Sequence, residues 1–517
     1  MLLSELAKAG RQPELPLEVA LPDVAASLRL ERLLRVLPGR RYVGVAFWNG
    51  NGTERKVLAK LLLGAKARRD FEREERGALL LAAQGIDTPR LLSSAFVAGE
   101  GGYLLFDYLE GTQSLGERWQ AREFVADRDA RQARILEDAL RSIARLHAKG
   151  LFQEDLHLNN LLYQRGILYL VDGGGIRAES PGAPLSVQKT LENLGVFFAQ
   201  LPSRLDVSLE KWLDVYMETN PCHSLPPRLA ALRKAIDRAK RFRMRDLMKK
   251  TGRDCSLFSV KKNGPLGIFG FCATRREVCD TRDTCDTCDT RDVSDVSGAL
   301  ARIVENPDAF IARGHIYKTG GAATVARVEE GGHSFVVKRH NIKHFWHWLG
   351  RCWRPSRAWT SWREGNRLLA LGIHTAKPLA VIERRYLGLR GTAFLITEYL
   401  DGQDIIARFC GKPSGGEDMP EPLETELTAL EELFAALRRE RISHGDFKGN
   451  NLLWRGGNDY GSWSLIDLDA MRARRCLSGF ARAYARDRER FLRNWPPDSP
   501  LFRLLEKRIP ARADGED

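Results

Sequence analysis

Short apolar runs that end on a polar residue recur along the chain, and they predict buried strands that carry one side chain to a surface. Val57-Leu58-Ala59 ends on Lys60, and Phe335-Val336-Val337 ends on Lys338. Leu168-Tyr169-Leu170-Val171 ends on Asp172, and Leu465-Ile466 ends on Asp467. Other stretches have helical spacing. Leu136, Ala139, Leu140, Ile143 and Leu146 predict a helix with one face in a core. Helical runs are also expected over Leu79 to Ala83 and over Trp362 to Leu371.

Two of the apolar runs are near copies. Residues 103–111 read YLLFDYLEG, and residues 394–402, at an offset of 291, read FLITEYLDG. The same offset relates Asp155 to Asp446, Asn159-Asn160 to Asn450-Asn451 and Leu161-Leu162 to Leu452-Leu453. Upstream, Gly85-Ile86-Asp87-Thr88 relates to Gly372-Ile373-His374-Thr375 at an offset of 287, a drift that changes in loop length produce. A period this long predicts two domains of one fold rather than a solenoid, whose units are roughly 20–50 residues.

Between the copies, residues 279–296 place an Asp at every third position in a (C/R)-D-T pattern with almost no large apolar residue. That composition predicts a solvated, low-complexity linker. The expected boundaries are 1–258 for the first domain, 259–298 for the linker and 299–517 for the second domain. Cys279, Cys285 and Cys288, with Cys272, offer a rival zinc site. However, the cysteines follow the triplet repeat and not the paired spacing of zinc ligands.

Length and charge narrow the picture further. The chain has 517 residues, enough for two domains with cores of their own. Lys and Arg number 81 against 67 acidic residues, a net charge of +14. The excess favours an anionic partner: nucleic acid, nucleotide, phospholipid or phosphorylated glycan. No uninterrupted apolar run reaches the ~18–20 residues that span a bilayer. Charges scattered from Glu5 to Glu18 argue against a secretory signal. Nine cysteines, with four crowded between Cys272 and Cys288, point to a reducing compartment.

The chemistry is clearest in the second copy. Gly320-Gly321 lies in a small-residue turn between β-like runs, where backbone N–H groups could approach phosphates, although most such turns are plain hairpins. Lys338 would neutralise nucleotide phosphates; otherwise it is a solvated strand end. Glu364, on the helix after it, would pair with Lys338 and fix its position; otherwise it is a surface charge. The most specific stretch is His444-Gly445-Asp446-Phe447-Lys448-Gly449-Asn450-Asn451-Leu452-Leu453, followed by Leu465-Ile466-Asp467-Leu468-Asp469. Asp446 is placed to accept a hydroxyl proton. Asn451 and Asp467 supply hard oxygen ligands for Mg²⁺. A polar loop with structural Asn caps is the alternative, and it does not account for the whole order.

This stretch resembles the protein-kinase-like superfamily, in its details the bacterial lipopolysaccharide core kinases of the heptose and Kdo kinase family. Arg363-Glu364 before its Leu-rich helix, Gly372 to Leu379, and Arg488 to Trp495 are similar to the same family. The resemblance covers most of residues 310–500. It implies a two-lobed fold, ATP with Mg²⁺, and phosphate transfer to a heptose or Kdo hydroxyl of the lipopolysaccharide inner core. With the repeat, the expected fold is α+β: two tandem protein-kinase-like bilobal domains, each with a β-rich N-lobe and a helical C-lobe.

The first copy repeats the order with Lys60 (or Lys56), Glu75 (or Glu74), Asp155, Asn160 and Asp172. It departs in two places: Gln153 replaces His444, and Glu154 replaces Gly445. The histidine of this motif is mainly structural in kinases, so the change is expected to weaken geometry without removing a reacting group. Its glycine loop is either Pro38-Gly39 or Asn49-Gly50-Asn51-Gly52. Because Asp155, Asn160 and Asp172 all survive, both copies are read as competent. A regulatory first copy and one with altered substrate choice are the alternatives.

Residues 338–363 hold Trp346, Trp348, Trp353, Trp359 and Trp362 among seven Lys and Arg residues. Such a mixture suits an anionic membrane interface or a lipid-linked glycan, or else a helix with tryptophans in the core. No nucleic-acid module accompanies it. His340, His344 and His347 are expected to be solvated. The chain is therefore expected in the cytoplasm, either free or peripheral at the cytoplasmic face of the inner membrane. The rival functions are a kinase of another acceptor and a non-catalytic pseudokinase pair.

Overall fold

A computed structural model describes residues 1–511, apart from 11–12, 22–26, 51–52, 121–127, 202–208, 224, 256, 263–267, 273–289, 343–344, 351, 387–388, 411–421 and 457–460. Among the described residues the chain forms two compact units, one over Met1–Arg243 and one from Met244 onward.

The first unit opens with a six-stranded antiparallel sheet. Its spatial order is Leu17–Ala20, Ser27–Leu37, Arg41–Asn49, Glu54–Leu62, Gly101–Asp107 and Leu91–Val97. Period-two alternation along Glu54–Leu62 sorts its side chains. Val57, Ala59 and Leu61 are buried on one face with Leu28, Leu30 and Tyr42. Leu58, Lys60 and Leu62 point to the other face, where Leu62 packs with Ala67, Phe71 and Ala78 of the helix Ala67–Ala83. The same alternation therefore brings Lys60 to that helix.

The sheet also locates the first unit's glycine turn. Arg41–Asn49 is the neighbour of the Lys60 strand, with Val43 opposite Lys60. The turn leading into it is Pro38-Gly39-Arg40, with Gly39 at φ +67°. In the second unit Val325 lies opposite Lys338, and the turn leading into that strand contains Gly320-Gly321. Pro38-Gly39 is thus the equivalent turn. Asn49 to Gly52 sits one hairpin later, and residues 51–52 lie outside the described residues.

Beyond the sheet the first unit is mostly helical. The expected stripe is real: Leu136, Ala139, Leu140, Ile143 and Leu146 of the helix Arg128–Ala148 are all buried. They pack with Leu194, Phe197, Leu213 and Tyr216 of two following helices, and with Leu156 and Leu161 around the Asp155 loop.

The second unit carries a seven-stranded antiparallel sheet. Its order is Ser259–Lys262, Ile268–Cys272, Pro378–Tyr386, Leu389–Glu398, His333–His340, Ala323–Glu330 and His315–Thr319. The first two strands fall inside 259–298, which the composition marked as linker. That boundary is corrected. Ile268-Phe269-Gly270-Phe271-Cys272 is β-forming sequence, and it pairs with Ala380 to Arg384. At the other end of the expected linker, a helix begins at Thr290 and runs to Glu305. The triplet repeat over 279–289, with Cys279, Cys285 and Cys288, lies outside the described residues.

Phe335 and Val337 face a core made with Ala326, Val328, Ile396, Leu300 and Phe310. On the opposite face, Ala358 and Trp362 of the helix Arg357–Ala370 pack on Val381, Ala393 and Leu395. The helical part is built around Leu430, Phe434, Phe447 and Phe491.

Equivalent hydrogen bonds recur in the two units. Leu170 N–H donates to the Asp87 carbonyl at 2.8 Å, and Leu465 N–H to the His374 carbonyl at 3.0 Å. Each bond ties the strand that ends in Asp to the turn that follows the helix.

Candidate active site

Asn451 closes the loop that carries Asp446. Its Nδ2 donates to the Asp446 carbonyl at 2.8 Å, and its own carbonyl accepts from Ile466 N–H at 3.0 Å. The loop and the strand end at Asp467 are thereby held in one register. Asp467 sits in the left-handed region at φ +59°, a conformation that Asp tolerates better than most residues. His444 is fully buried and donates from Nε2 to the Ile466 carbonyl at 3.1 Å. Burial holds its pKa below the ordinary imidazole value, so it acts as a neutral brace. Asp487 accepts from His444 N–H at 2.7 Å and from Gly445 N–H at 3.0 Å. Burial outweighs these bonds and raises the Asp487 pKa.

The Asp446 carboxylate lies 3.1 Å from Lys448 Nζ and 3.2 Å from Arg490 Nη1. Arg490 also donates to the Gly445 carbonyl at 2.5 Å. Asp487 and Arg490 were not singled out in the sequence. Arg490 falls in the Arg488 to Trp495 passage, but nothing local marks either residue as a partner of a loop 42–45 residues away.

Lys338 does not meet Glu364. Its ammonium bonds to Asp467 Oδ1 and lies 3.8 Å from Asp469 Oδ2. Burial would raise the Asp467 pKa, but the Lys338 charge and hydrogen bond overcome it and hold the carboxyl below its usual range. Burial dominates at Asp469 and raises its pKa. Glu364 is buried against Arg367 at 2.7 Å. Helix register is the cause. Both helices end in the same turn: Ile86 N–H bonds to the Leu81 carbonyl at 3.0 Å, and Ile373 N–H to Leu368 at 2.9 Å. Counted back from that turn, Glu364 falls at the place of Gly77, and Ser361 at the place of Glu74.

Gly320 and Gly321 form the turn before the strand Ala323–Glu330. Gly320 N–H is engaged by the Ala323 carbonyl at 3.1 Å, and Asn341 Nδ2 grips the Gly320 carbonyl at 2.9 Å. The Gly320 amide is therefore committed within the turn, while Gly321 is exposed.

In the first unit Lys60 Nζ lies 2.6 Å from Glu74 Oε2 and 3.6 Å from Asp172 Oδ1. Glu74 also meets Arg41 at 3.2 Å and accepts from Gly174 N–H at 3.2 Å. Lys56 instead pairs with Glu110 at 2.6 Å. The helix glutamate is thus Glu74 and not Glu75, whose carboxylate takes a bond from Ser94 at 2.7 Å. Glu74 shares a face with the buried Asp70, Phe71, Gly77, Ala78 and Leu81, three or four residues apart. Glu75 lies about 100° away around the helix.

Asp172 is left-handed at φ +69°. Burial works against its ionisation, but Lys60, Arg41 and Arg35 outweigh burial and lower its pKa. Asn160 repeats the loop closure, with Nδ2 on the Asp155 carbonyl at 2.9 Å. Gln153 Nε2 donates to the Val171 carbonyl at 2.9 Å and to the Asp172 carbonyl at 3.2 Å. Gln153 thus bonds the strand end that His444 bonds in the second unit. Glu154, at the place of Gly445, is held by Arg73 and Arg177, each at 2.9 Å. The Asp155 side chain is 77% exposed.

The residues fit a small hard cation. Asn451 and Asn160 turn their Nδ2 groups to a backbone carbonyl, which leaves the amide oxygens for a ligand. Among the described residues no group of three or more His, Cys, Asp or Glu gathers. One or two carboxylates plus substrate phosphates is the way Mg²⁺ is commonly held.

The Trp/Arg stretch divides. Trp362 is buried, and Trp348 donates Nε1–H to the Arg390 carbonyl at 2.9 Å. Trp346 and Trp353 are 74% and 72% exposed. Beside them a pocket is lined by Arg354, Arg357, Arg390 and Asn341. His340 is buried and not solvated; His344 lies outside the described residues.

Residues 316–497 match the Lipopolysaccharide kinase (Kdo/WaaP) family. The matched span holds Gly320, Gly321, Lys338, Glu364, Asp446, Asn451 and Asp467. A solved structure of WaaP in complex with acyl carrier protein is 20% identical and covers 41% of this chain and 85% of that chain, with a TM-score of 0.30. No curated protein matches. Among the described residues, no helix is long and apolar enough to cross a membrane.

Proposed function

We propose that the chain is a tandem kinase-like enzyme that moves the γ-phosphate of ATP onto a sugar hydroxyl, heptose or Kdo, of the lipopolysaccharide inner core. The observation that carries this reading is the Asp446–Asn451–Asp467 arrangement inside the family match, with its counterpart at Asp155, Asn160 and Asp172.

In this reading Asp446 orients the sugar hydroxyl and accepts its proton as the oxygen bonds to the γ-phosphorus and the bond to the bridging oxygen breaks, releasing ADP. Arg490 and Lys448 hold the Asp446 carboxylate in place. Lys338 and Lys60 neutralise nucleotide phosphates. Asn451 with Asp467, and Asn160 with Asp172, would hold Mg²⁺, which supplies charge neutralisation at the phosphates. Catalysis is then positioning and electrostatic stabilisation.

The exposed Trp346 and Trp353, together with the Arg354, Arg357 and Arg390 pocket, support peripheral contact with an anionic glycolipid surface. They accord with work at the cytoplasmic face of the inner membrane. Phosphate content of core oligosaccharide tests the proposal. A strain lacking the gene should lose one or more core phosphates by mass spectrometry, and an unchanged core would contradict it.

A further inference from the structure

We infer that Asp469 is the positioning residue for Lys338, and that it replaces from the loop the carboxylate that Glu74 supplies from a helix in the first unit. The inference rests on the reading of the second unit as a nucleotide site.

Asp469 follows Asp467 by two residues, as Gly174 follows Asp172. In the first unit a side chain at that loop position would crowd the Glu74 carboxylate. A Cβ on Gly174 would stand 2.8 Å from Glu74 Oε1. A Cβ on Gly77 would stand 1.9 Å from the Gly173 carbonyl oxygen, so helix and loop touch through glycines. Every one of these positions is changed in the second unit. Glu74 becomes Ser361, which is small and buried; Gly77 becomes Glu364, Gly173 becomes Leu468 and Gly174 becomes Asp469. The helix loses its carboxylate where the loop gains one.

The contacts follow the exchange. Among the described residues, the carboxylates within 4 Å of Lys338 Nζ are those of Asp467 and Asp469. Glu364 is committed to Arg367. Asp469 also lies 3.8 Å from Arg357 at the start of the helix, so it links the strand lysine to that helix. If a cation takes Asp467, Asp469 is the acidic anchor that Lys338 keeps.

The test uses the full chain in an Asp155→Ala background, so that turnover reports the second unit. ATP affinity is followed by calorimetric titration, and KM and kcat by phosphate transfer. Asp469→Asn should raise KM for ATP about tenfold with a smaller change in kcat and no loss of thermal stability. Asp469→Gly should behave likewise, and Asp469→Gly with Ser361→Glu, which installs the first unit's arrangement, should return KM to within about threefold of the parent. An unchanged KM in Asp469→Asn overturns the inference, and so does failure of Ser361→Glu to rescue. If the background protein shows no transfer, the kinase reading of this unit fails. ATP affinity then decides the role of Asp469 by the same comparisons.

Discussion

Lys60 and Glu74 form a buried ion pair in the first unit, 2.6 Å apart, with the Glu74 side chain 1% exposed. Breaking such a pair from one side leaves the buried Lys60 charge with only the more distant Asp172 carboxylate, 3.6 Å away. Glu74→Gln should therefore destabilise the first unit by about 3–5 kcal/mol. Glu75→Gln, which only weakens a bond to Ser94, should cost about 1 kcal/mol or less. Denaturant unfolding, with the transition of each unit resolved, separates the two. Equal losses would mean that the pair is not the anchor described.

The second unit should respond differently to loss of its helix glutamate. Glu364 serves Arg367 and not Lys338, so Glu364→Gln should leave KM for ATP within about threefold. Asp467→Asn, which removes the charged Lys338 partner and, in the proposed function, a cation ligand, should lower transfer by about 100-fold or more. A severe ATP-affinity defect in Glu364→Gln would contradict the contacts seen.

Gly445 has φ +81°, and a Cβ there would stand 2.8 Å from the Ala470 carbonyl oxygen. Gly445→Ala should cost about 1–3 kcal/mol through strain and that contact. It should also lower transfer by displacing Asp446. Thermal unfolding and transfer assays on the same preparation check both.

His147 predicts an acid-sensitive first unit. It is fully buried, and burial lowers its pKa to about 4. Its Nε2–H donates to Asn193 Oδ1 at 2.9 Å, and Nδ1 accepts from the Tyr216 hydroxyl at 3.0 Å. Asn193 is oriented by its own bond from Nδ2 to the Gln153 carbonyl at 2.7 Å, next to the loop that carries Asp155. Because the folded pKa lies below the unfolded one, the unfolded chain binds the proton more readily. This contribution is complete above about pH 6.5 and is lost as pH falls towards about 4. The loss approaches 3 kcal/mol, from about 1.36 kcal/mol per pKa unit. His147→Gln should flatten stability across that window, as read by unfolding at a series of pH values. An unaltered pH profile would show that His147 is not the titrating group.

The loop geometry was legible because it is local. Asp446, Asn451 and Asp467, and their first-copy counterparts, lie within short motifs whose spacing implies one turn and one strand end. Lys60 and Lys338 were legible from alternation, since the residue after an apolar run must face the opposite side of the sheet. The glutamates were less so. Glu75 and Glu74 differ by one helix position, and only the buried stripe through Phe71, Ala78 and Leu81 separates them. Glu364 looked right by order, but its register places it one turn from the site, and Asp469 answers for it. The strands Ser259–Lys262 and Ile268–Cys272 were hidden beside a low-complexity run, because Ile268–Cys272 pairs with residues of Pro378–Tyr386 more than a hundred positions away, and Ser259–Lys262 pairs in turn with Ile268–Cys272.

The most direct test of the central claim is phosphate transfer from ATP–Mg²⁺ to core lipopolysaccharide by the purified full chain. Wild type, Asp155→Ala, Asp446→Ala and the double variant are compared. The account predicts transfer by wild type, a partial loss in each single variant and none above background in the double variant. Unchanged transfer in the double variant would contradict it.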